Sequence, residues 1–372
     1  MKIGLLTRHD PKDINFWSGT LYYMYHKLKE NHSIEIIGAE VLTQLKAYTS
    51  FNFSPNTFLF ENRYVQNLGR LLTERINSLG CDLIFFGDLN FLLLNIDVPF
   101  IILSDMTFEQ VKIHYKKPDI RDIEPWIKVE EQIIDSASKI IFSSEWIKQK
   151  AIDFYKIDPQ KIEVVEFGAN IPTPQNYSIN INMNECRLLF IGADWERKGG
   201  DKVLQIYKIL KDEGFPCKLT IIGSMPDENF KQDENLIVIP YLYKNKKDDL
   251  EKLCNIISKS HFLVLPTKFD AFGIVFCEAS AYAVPSITSN IGGVVQAINE
   301  GKNGFLLPVD ATAQDYAIKI KSTFNNKQEY VKLRQSSRDE FESRLNWNVW
   351  GDRVNKILED TVAEYKQQFL KT

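Results

Sequence analysis

Leu263-Val264-Leu265-Pro266-Thr267-Lys268-Phe269-Asp270-Ala271-Phe272-Gly273-Ile274-Val275-Phe276-Cys277-Glu278-Ala279 decides how the whole sequence is read. An apolar run stops at Pro266, a polar loop follows, and helical spacing begins near Phe272 and continues to about Ala283. A strand that is apolar at every position is covered on both faces, which is the situation of a parallel sheet flanked by helices. Working outward, the same alternation recurs. Strands are predicted at Arg187–Gly192, Lys218–Gly223, Leu236–Pro240, His261–Pro266 and Ser286–Thr288. The first half repeats the pattern with Lys2–Thr7, Ser33–Gly38, Asp82–Gly87, Pro99–Leu103 and Lys139–Ser143. Between them lie amphipathic stretches, one carrying Val65, Leu68, Leu71, Leu72 and Ile76, another Trp126, Ile127, Val129, Ile133, Ile134 and Ala137. Phe167-Gly168-Ala169-Asn170-Ile171-Pro172-Thr173-Pro174 has the Gly and Pro content of a linker. The expectation is an α/β protein of two doubly wound domains of similar size, 1–170 and 171–349, facing across a cleft. In such sheets ligands bind beyond the carboxyl ends of the strands.

Bulk properties exclude several classes. The 372 residues carry 45 Lys plus Arg against 49 Asp plus Glu, with no footprint of a nucleic-acid binder. The five cysteines are scattered and form no Cys-x-x-Cys, which argues against a disulfide framework or a zinc site. The five histidines have no metal-ligand spacing. No apolar run approaches the ~20 residues of a membrane span, and Met1–Leu6 reads as a strand in place of a signal peptide. A soluble, cytoplasmic protein is expected. The local basic run Lys112, His114, Lys116, Lys117 reads as a solvated face, with peripheral membrane contact as the alternative. There is no Gly-x-Ser-x-Gly elbow, no Walker loop and no Gly-x-Gly-x-x-Gly after the first strand.

Five segments are candidates for chemistry. In the opening stretch, Asp270 lies on the loop and Glu278 about a turn and a half into the helix. Gly273 permits close backbone approach, and the helix start suits a phosphate. The plainer alternative is a helix capped by Asp270 with Glu278 facing solvent. In Gly192-Ala193-Asp194-Trp195-Glu196-Arg197-Lys198-Gly199-Gly200, two adjacent cations follow a strand and are placed to neutralise a leaving diphosphate. The alternative there is an exposed Arg-Lys pair. In Asp13–Thr20, Ser18 is a candidate cap for the helix bearing Leu21, Tyr22 and Leu28, and Gly19 allows a ligand close. Asp105, after the fourth strand, contacts a transferred sugar or caps a helix. Tyr241, after Pro240, offers a platform for a base or forms a surface turn.

These residues resemble a known family, the retaining glycosyltransferases of family 4 (glycosyl transferases group 1), which have the GT-B fold of two Rossmann-like domains. The Asp270…Glu278 segment is similar to that family's Glu-x7-Glu motif, and Arg197-Lys198-Gly199 to its diphosphate-clamping loop. Ile291-Gly292-Gly293 through Asn303-Gly304-Phe305 is similar to the sequence that follows. The resemblance implies that Glu278 binds ribose hydroxyls. Asp270, with the backbone of Ala271, Phe272, Gly273 and Ile274, would hold the donor sugar. Arg197 and Lys198 would stabilise the diphosphate, which Gly19 lets the N-terminal loop approach. It also implies catalysis without a metal or cofactor, and a C-terminal helix, 350–372, that completes the first domain. The donor would be UDP- or GDP-linked, and the acceptor a glycan, lipid-linked or small-molecule hydroxyl. The sequence departs from the pattern at Asp270, where Glu is usual, at Ala193, where Arg is usual, at Gln296, where an acid is common, and at Asp105, the nearest counterpart of a first-domain His. The alternatives are a nucleotide-sugar epimerase of the same fold and a non-catalytic nucleotide-sugar-binding subunit.

Overall fold

The computed structural model describes residues 1–38, 62–87, 94–115, 123–175, 177–224 and 233–369. The chain divides into two units, Met1–Val165 with Gly351–Thr372, and Glu166–Trp350.

In the first unit the described elements run β1 (Lys2–Thr7), α1 (Thr20–Asn31), β2 (Ser33–Gly38), α2 (Asn62–Leu79), β3 (Leu83–Phe86), β4 (Phe100–Ser104), α3 (Phe108–His114), α4 (Glu124–Ser136), β5 (Lys139–Phe142), α5 (Glu145–Tyr155) and β6 (Ile162–Val164). The six strands form one parallel sheet in the order β2-β1-β3-β4-β5-β6. Leu5 pairs with Ile36 on one side and Phe85 on the other. The four residues of β3 are all buried, as a strand covered on both faces requires. On α2, Leu72 and Ile76 are buried and Leu71 is half-buried; the side chains of Val65 and Leu68 lie outside the described residues, as do Lys116 and Lys117.

The second unit continues with β7 (Cys186–Ile191), α6 (Trp195–Lys198), α7 (Gly200–Asp212), β8 (Cys217–Ile222), β9 (Leu236–Ile239), α8 (Lys247–Lys259), β10 (Phe262–Leu265), α9 (Ile274–Ala281), β11 (Ser286–Ser289), α10 (Val294–Ala297), β12 (Gly304–Leu307), α11 (Ala313–Asn325), α12 (Lys327–Ser343) and α13 (Trp347–Phe369). The parallel order is β12-β11-β10-β7-β8-β9. The chain therefore builds outward from β7 to one side, then returns to lay β10 against β7 and builds to the other. That reversal makes a topological switch point between β7 and β10, the place where open α/β sheets bind ligands.

Helix α13 starts in the second unit and, from Gly351 on, belongs to the first. There Val354 and Leu358 are fully buried, Asn355 bonds His32 at 2.9 Å, and the Tyr365 hydroxyl donates to the Asp97 carbonyl at 3.0 Å. Two strands escaped the sequence reading, β6 and β12, and both are sheet edges. Helix α9 is shorter than expected, Ile274–Ala281, because Gly273 before it is left-handed and Ala283 after it has φ 57°.

Candidate functional site

The loops that leave β7 and β10 flank the switch point and are tied together. The Lys268 N–H donates to the Arg197 carbonyl at 2.7 Å, and the Thr267 hydroxyl donates to the same oxygen at 3.1 Å. In return the Arg197 guanidinium donates to the Phe269 carbonyl at 3.0 Å. Lys198 Nζ is hydrogen-bonded to Asp270 Oδ2, and Arg197 Nη1 stands 3.8 Å from Oδ1 of the same carboxylate. Both cations are largely covered, with side chains 21% and 14% exposed, so the exposed Arg-Lys pair is not what forms. A second carboxylate, Asp194, accepts from Arg197 through both its backbone N–H (3.1 Å) and Nε (3.0 Å). Partial burial pushes the Asp194 carboxyl upward. The two hydrogen bonds from Arg197 and the charges of Arg197 and Lys198 outweigh burial and hold it below its ordinary value.

Main-chain geometry fixes this cluster. Gly199 has φ +78°, and a Cβ there would stand 2.1 Å from the Pro266 carbonyl oxygen; only glycine lets the β7 and β10 loops close up. On the other flank, the Gly293 N–H donates to the Asp270 carbonyl at 3.0 Å, and a Cβ on Gly292 would meet that carbonyl oxygen at 2.5 Å. The Gly-Gly pair thus acts as a support for Asp270. Asn303 is wholly buried and donates to the Ala297 carbonyl at 2.8 Å, a packing role.

Asp270 does not cap the following helix. The residue before α9 is Gly273, without a side-chain cap. Ala271, Phe272 and Gly273 are buried and Ile274 is half-buried, so this loop presents backbone more than side chain. Nor does Glu278 face solvent: it is 3% exposed and accepts from Lys244 Nζ at 2.6 Å. A carboxylate this buried requires a partner, and Lys244 is the residue that sequence reasoning missed. It lies on the loop after β9, three positions past Tyr241, so its placement at a strand's carboxyl end was the available signal. Tyr241 itself is 52% exposed and packs its ring 4.6 Å from that of Tyr243. The Lys246 ammonium lies 4.5 Å from the Tyr243 ring centroid.

The first unit holds its own candidates. Ser18 does not cap α1: Gly19 occupies that position with φ 96°, and no side chain caps the helix. The chain instead passes through left-handed Trp17 (φ 48°), Ser18 (φ 56°) and Gly19 in succession. Trp17 donates its indole N–H to Asp105 Oδ2 at 3.2 Å, which joins the Gly19 turn to the loop after β4. Asp105 is not a helix cap either; Thr107 caps α3 by accepting from the Gln110 N–H.

No helix among the described residues is long and apolar enough to cross a membrane. The five cysteines are free thiols, and all but Cys254 are buried.

The chain is similar in sequence and fold to known glycosyltransferases. The chain is 26% identical over 246 residues to the capsular polysaccharide biosynthesis glycosyltransferase CapM of Staphylococcus aureus, a stretch covering 60% of this chain and 63% of that one. Across the curated relatives the chain spans 43–63% of their length. Among solved structures, the sucrose-phosphate synthase of Thermosynechococcus elongatus superposes with a TM-score of 0.72 over all of both chains at 15% identity. Anabaena HepE in complex with UDP and glucose gives 0.63 over 96% of this chain and 99% of that one at 13% identity. The fold is the GT-B fold, with a parallel six-stranded sheet in each unit. Residues 175–340, which hold every second-unit candidate described above, match the family described as Glycosyl transferases group 1.

Proposed function

We propose that the protein is a retaining glycosyltransferase that moves a hexosyl or N-acetylhexosaminyl group from a UDP- or GDP-linked donor to a hydroxyl of a glycan, lipid-linked or small-molecule acceptor. The observation that carries this reading is the convergence of Arg197, Lys198 and the Asp270 loop at the switch point of the second sheet. Preformed cations and main-chain N–H groups act most strongly where charge develops during reaction. Here that charge is the leaving diphosphate. The bond from the anomeric carbon to the phosphate oxygen breaks while the acceptor oxygen bonds that carbon from the same face. The acceptor's hydroxyl proton passes to the departing phosphate oxygen. No enzyme nucleophile is required.

Lys198 is paired with Asp270. Donor binding would exchange that partner for phosphate oxygens and free the Asp270 carboxylate for sugar hydroxyls. Glu278, paired with Lys244, takes the ribose diol, and the exposed Tyr241 offers its ring to the base. Asp105 and the Gly19 turn act on the transferred sugar and the diphosphate. Neither metal nor cofactor enters this scheme. The protein works in the cytoplasm, where nucleotide sugars are made, with a lipid-linked acceptor bringing it to the membrane face.

A thermal-shift panel of nucleotide sugars tests the reading. A true donor at ~100 times its Kd adds about 2.7 kcal/mol of apparent stability. That donor, incubated with acceptor candidates, should release nucleotide in an acceptor-dependent way and equally well in EDTA. Stabilisation by no nucleotide sugar would defeat it.

A further inference from the structure

Glu130 on α4 is 6% exposed, yet among the described residues no cation pairs with it. Its Oε2 accepts two hydrogen bonds, one from the Phe108 N–H at 2.8 Å and one from the Tyr155 hydroxyl. Phe108 is the first residue of α3, and its N–H is one that the helix itself leaves unused. A carboxylate from a different helix thus terminates α3, and Tyr155 on α5 holds that carboxylate in place.

The segment leading into α3 is Ser104-Asp105-Met106-Thr107. Glu130, Ser104 and Thr107 line one cavity of ≈ 10 Å³, with Ile134 and Phe142 among its walls. From the far side of the same loop, Asp105 Oδ2 receives the Trp17 indole N–H. Trp17 begins the three left-handed residues that end at Gly19. A left-handed conformation is unfavourable for a non-glycine residue, so this turn depends on its contacts. A connected path therefore runs from Tyr155 and Glu130, through the start of α3 and Asp105, to the Gly19 turn.

We propose that Glu130 is a positioning residue for the Asp105 loop, and that gain or loss of its proton resets the Asp105–Trp17 contact. Every group facing it fits that role. From α3 come the Phe108 N–H and the like charge of Glu109; Lys112 on the same helix is paired with Glu124, and His114 lies at that helix's far end. From α5 comes the Tyr155 hydroxyl, and β4 and β5 contribute Ile102, Ile140 and Phe142, all uncharged. Burial, the largest effect, pushes the Glu130 carboxyl up to about 7; the Tyr155 and Phe108 hydrogen bonds oppose this and Glu109 adds to it. Its proton therefore exchanges near neutral pH. Below that, Phe108 and Tyr155 lose charge-assisted acceptors, which are roughly twice as strong as neutral ones.

Only the consequence for turnover rests on the proposed role of Asp105; the effect on the loop does not. The test follows the Trp17 indole N–H resonance of ¹⁵N-labelled protein between pH 5.5 and 8.5, with Trp17→Phe assigning it. The wild-type signal should move with a midpoint near 7 and stand still in Glu130→Gln. In Tyr155→Phe, which removes a hydrogen bond to the ionised form, the midpoint should rise. A wild-type signal that does not titrate, or one that titrates identically in Glu130→Gln, overturns the proposal. With the donor found by thermal shift, wild-type kcat for nucleotide release should fall about tenfold between pH 8 and pH 6. Glu130→Gln should lose that dependence with donor KM unchanged. If Asp105→Asn leaves kcat intact while the indole still titrates, the catalytic reading of Asp105 fails and the Glu130 inference stands.

Discussion

Arg197 and Asp105 both sit on loops that leave parallel strands at their carboxyl ends, yet the two loops are secured in different ways. Arg197 is tied to the neighbouring loop through its own carbonyl, which takes bonds from Lys268 and Thr267, and through its guanidinium, which reaches Phe269. Asp105 is held through side chains: the Trp17 indole on one side and, three residues on, a carboxylate under Phe108. Main-chain ties at a crowded switch point tolerate little change. Side-chain ties to a turn of unfavourable backbone conformation permit adjustment. In the proposed reaction the leaving diphosphate is common to all acceptors and rewards a rigid cradle, whereas the sugar-facing loop gains from compliance.

The sharpest way to break this contrast is to remove one cation. Lys198→Ala should lower turnover about 10²–10³-fold, the usual cost of losing a preorganised charge contact, in a nucleotide-release assay. Asp105→Ala should cost clearly less, and an equal loss would erase the distinction. Next comes backbone crowding. Gly199→Ala places a methyl 2.1 Å from the Pro266 carbonyl and should cost about 3 kcal/mol or more in denaturant unfolding. Gly80→Ala in the first unit is also left-handed, but nothing lies within 4 Å of its added Cβ, so about 1 kcal/mol is expected.

Acid should divide the units further. Burial is the main cause that lowers His261 to about 4, below its ordinary 6.5, so its contribution to the second unit is complete above about 6.5 and is lost as pH falls through 4. Glu130 has the opposite sign: raised from 4.5 to about 7, it favours the folded first unit most below 4.5, an advantage lost as pH rises through 7. Hydrogen-exchange protection of β8 and β5 amides between pH 4 and 8 should therefore shift in opposing directions; parallel shifts would contradict the assignment. The smallest effect on the proposed reaction is expected at Lys244. Lys244→Met leaves Glu278 buried without its cation and should raise donor KM about tenfold, or ~1.4 kcal/mol, with kcat little changed.

How much of this was legible follows from where each residue's surroundings come from. The ten strands read from sequence are apolar runs, and the sheet order turns most of them into covered inner strands. The two missed, β6 and β12, are short edge strands that need only one buried side, so Glu163 and Gly304 interrupted their pattern. Arg197, Lys198, Asp270 and Glu278 were singled out because strand-to-loop junctions mark them, and the structure places Arg197 and Lys198 beside Asp270. Lys244 escaped because its partner is 34 residues away in sequence, and pairing at that distance leaves no local trace. Ser18 misled because its identity suits a cap while its φ does not, and φ is invisible in a string of letters. Glu130 was visible in principle: it falls four residues after Trp126 on the apolar stripe of α4, where a carboxylate is out of place.

Helix α13 has a consequence for how the protein is made. Its later turns supply Val354, Leu358 and Val362 to the unit that the ribosome begins first. At roughly 5–20 residues per second, the nascent N-terminal half waits about 10–40 s for them while the intervening unit is translated. During that interval the apolar surface that these residues cover in the folded unit lacks that cover.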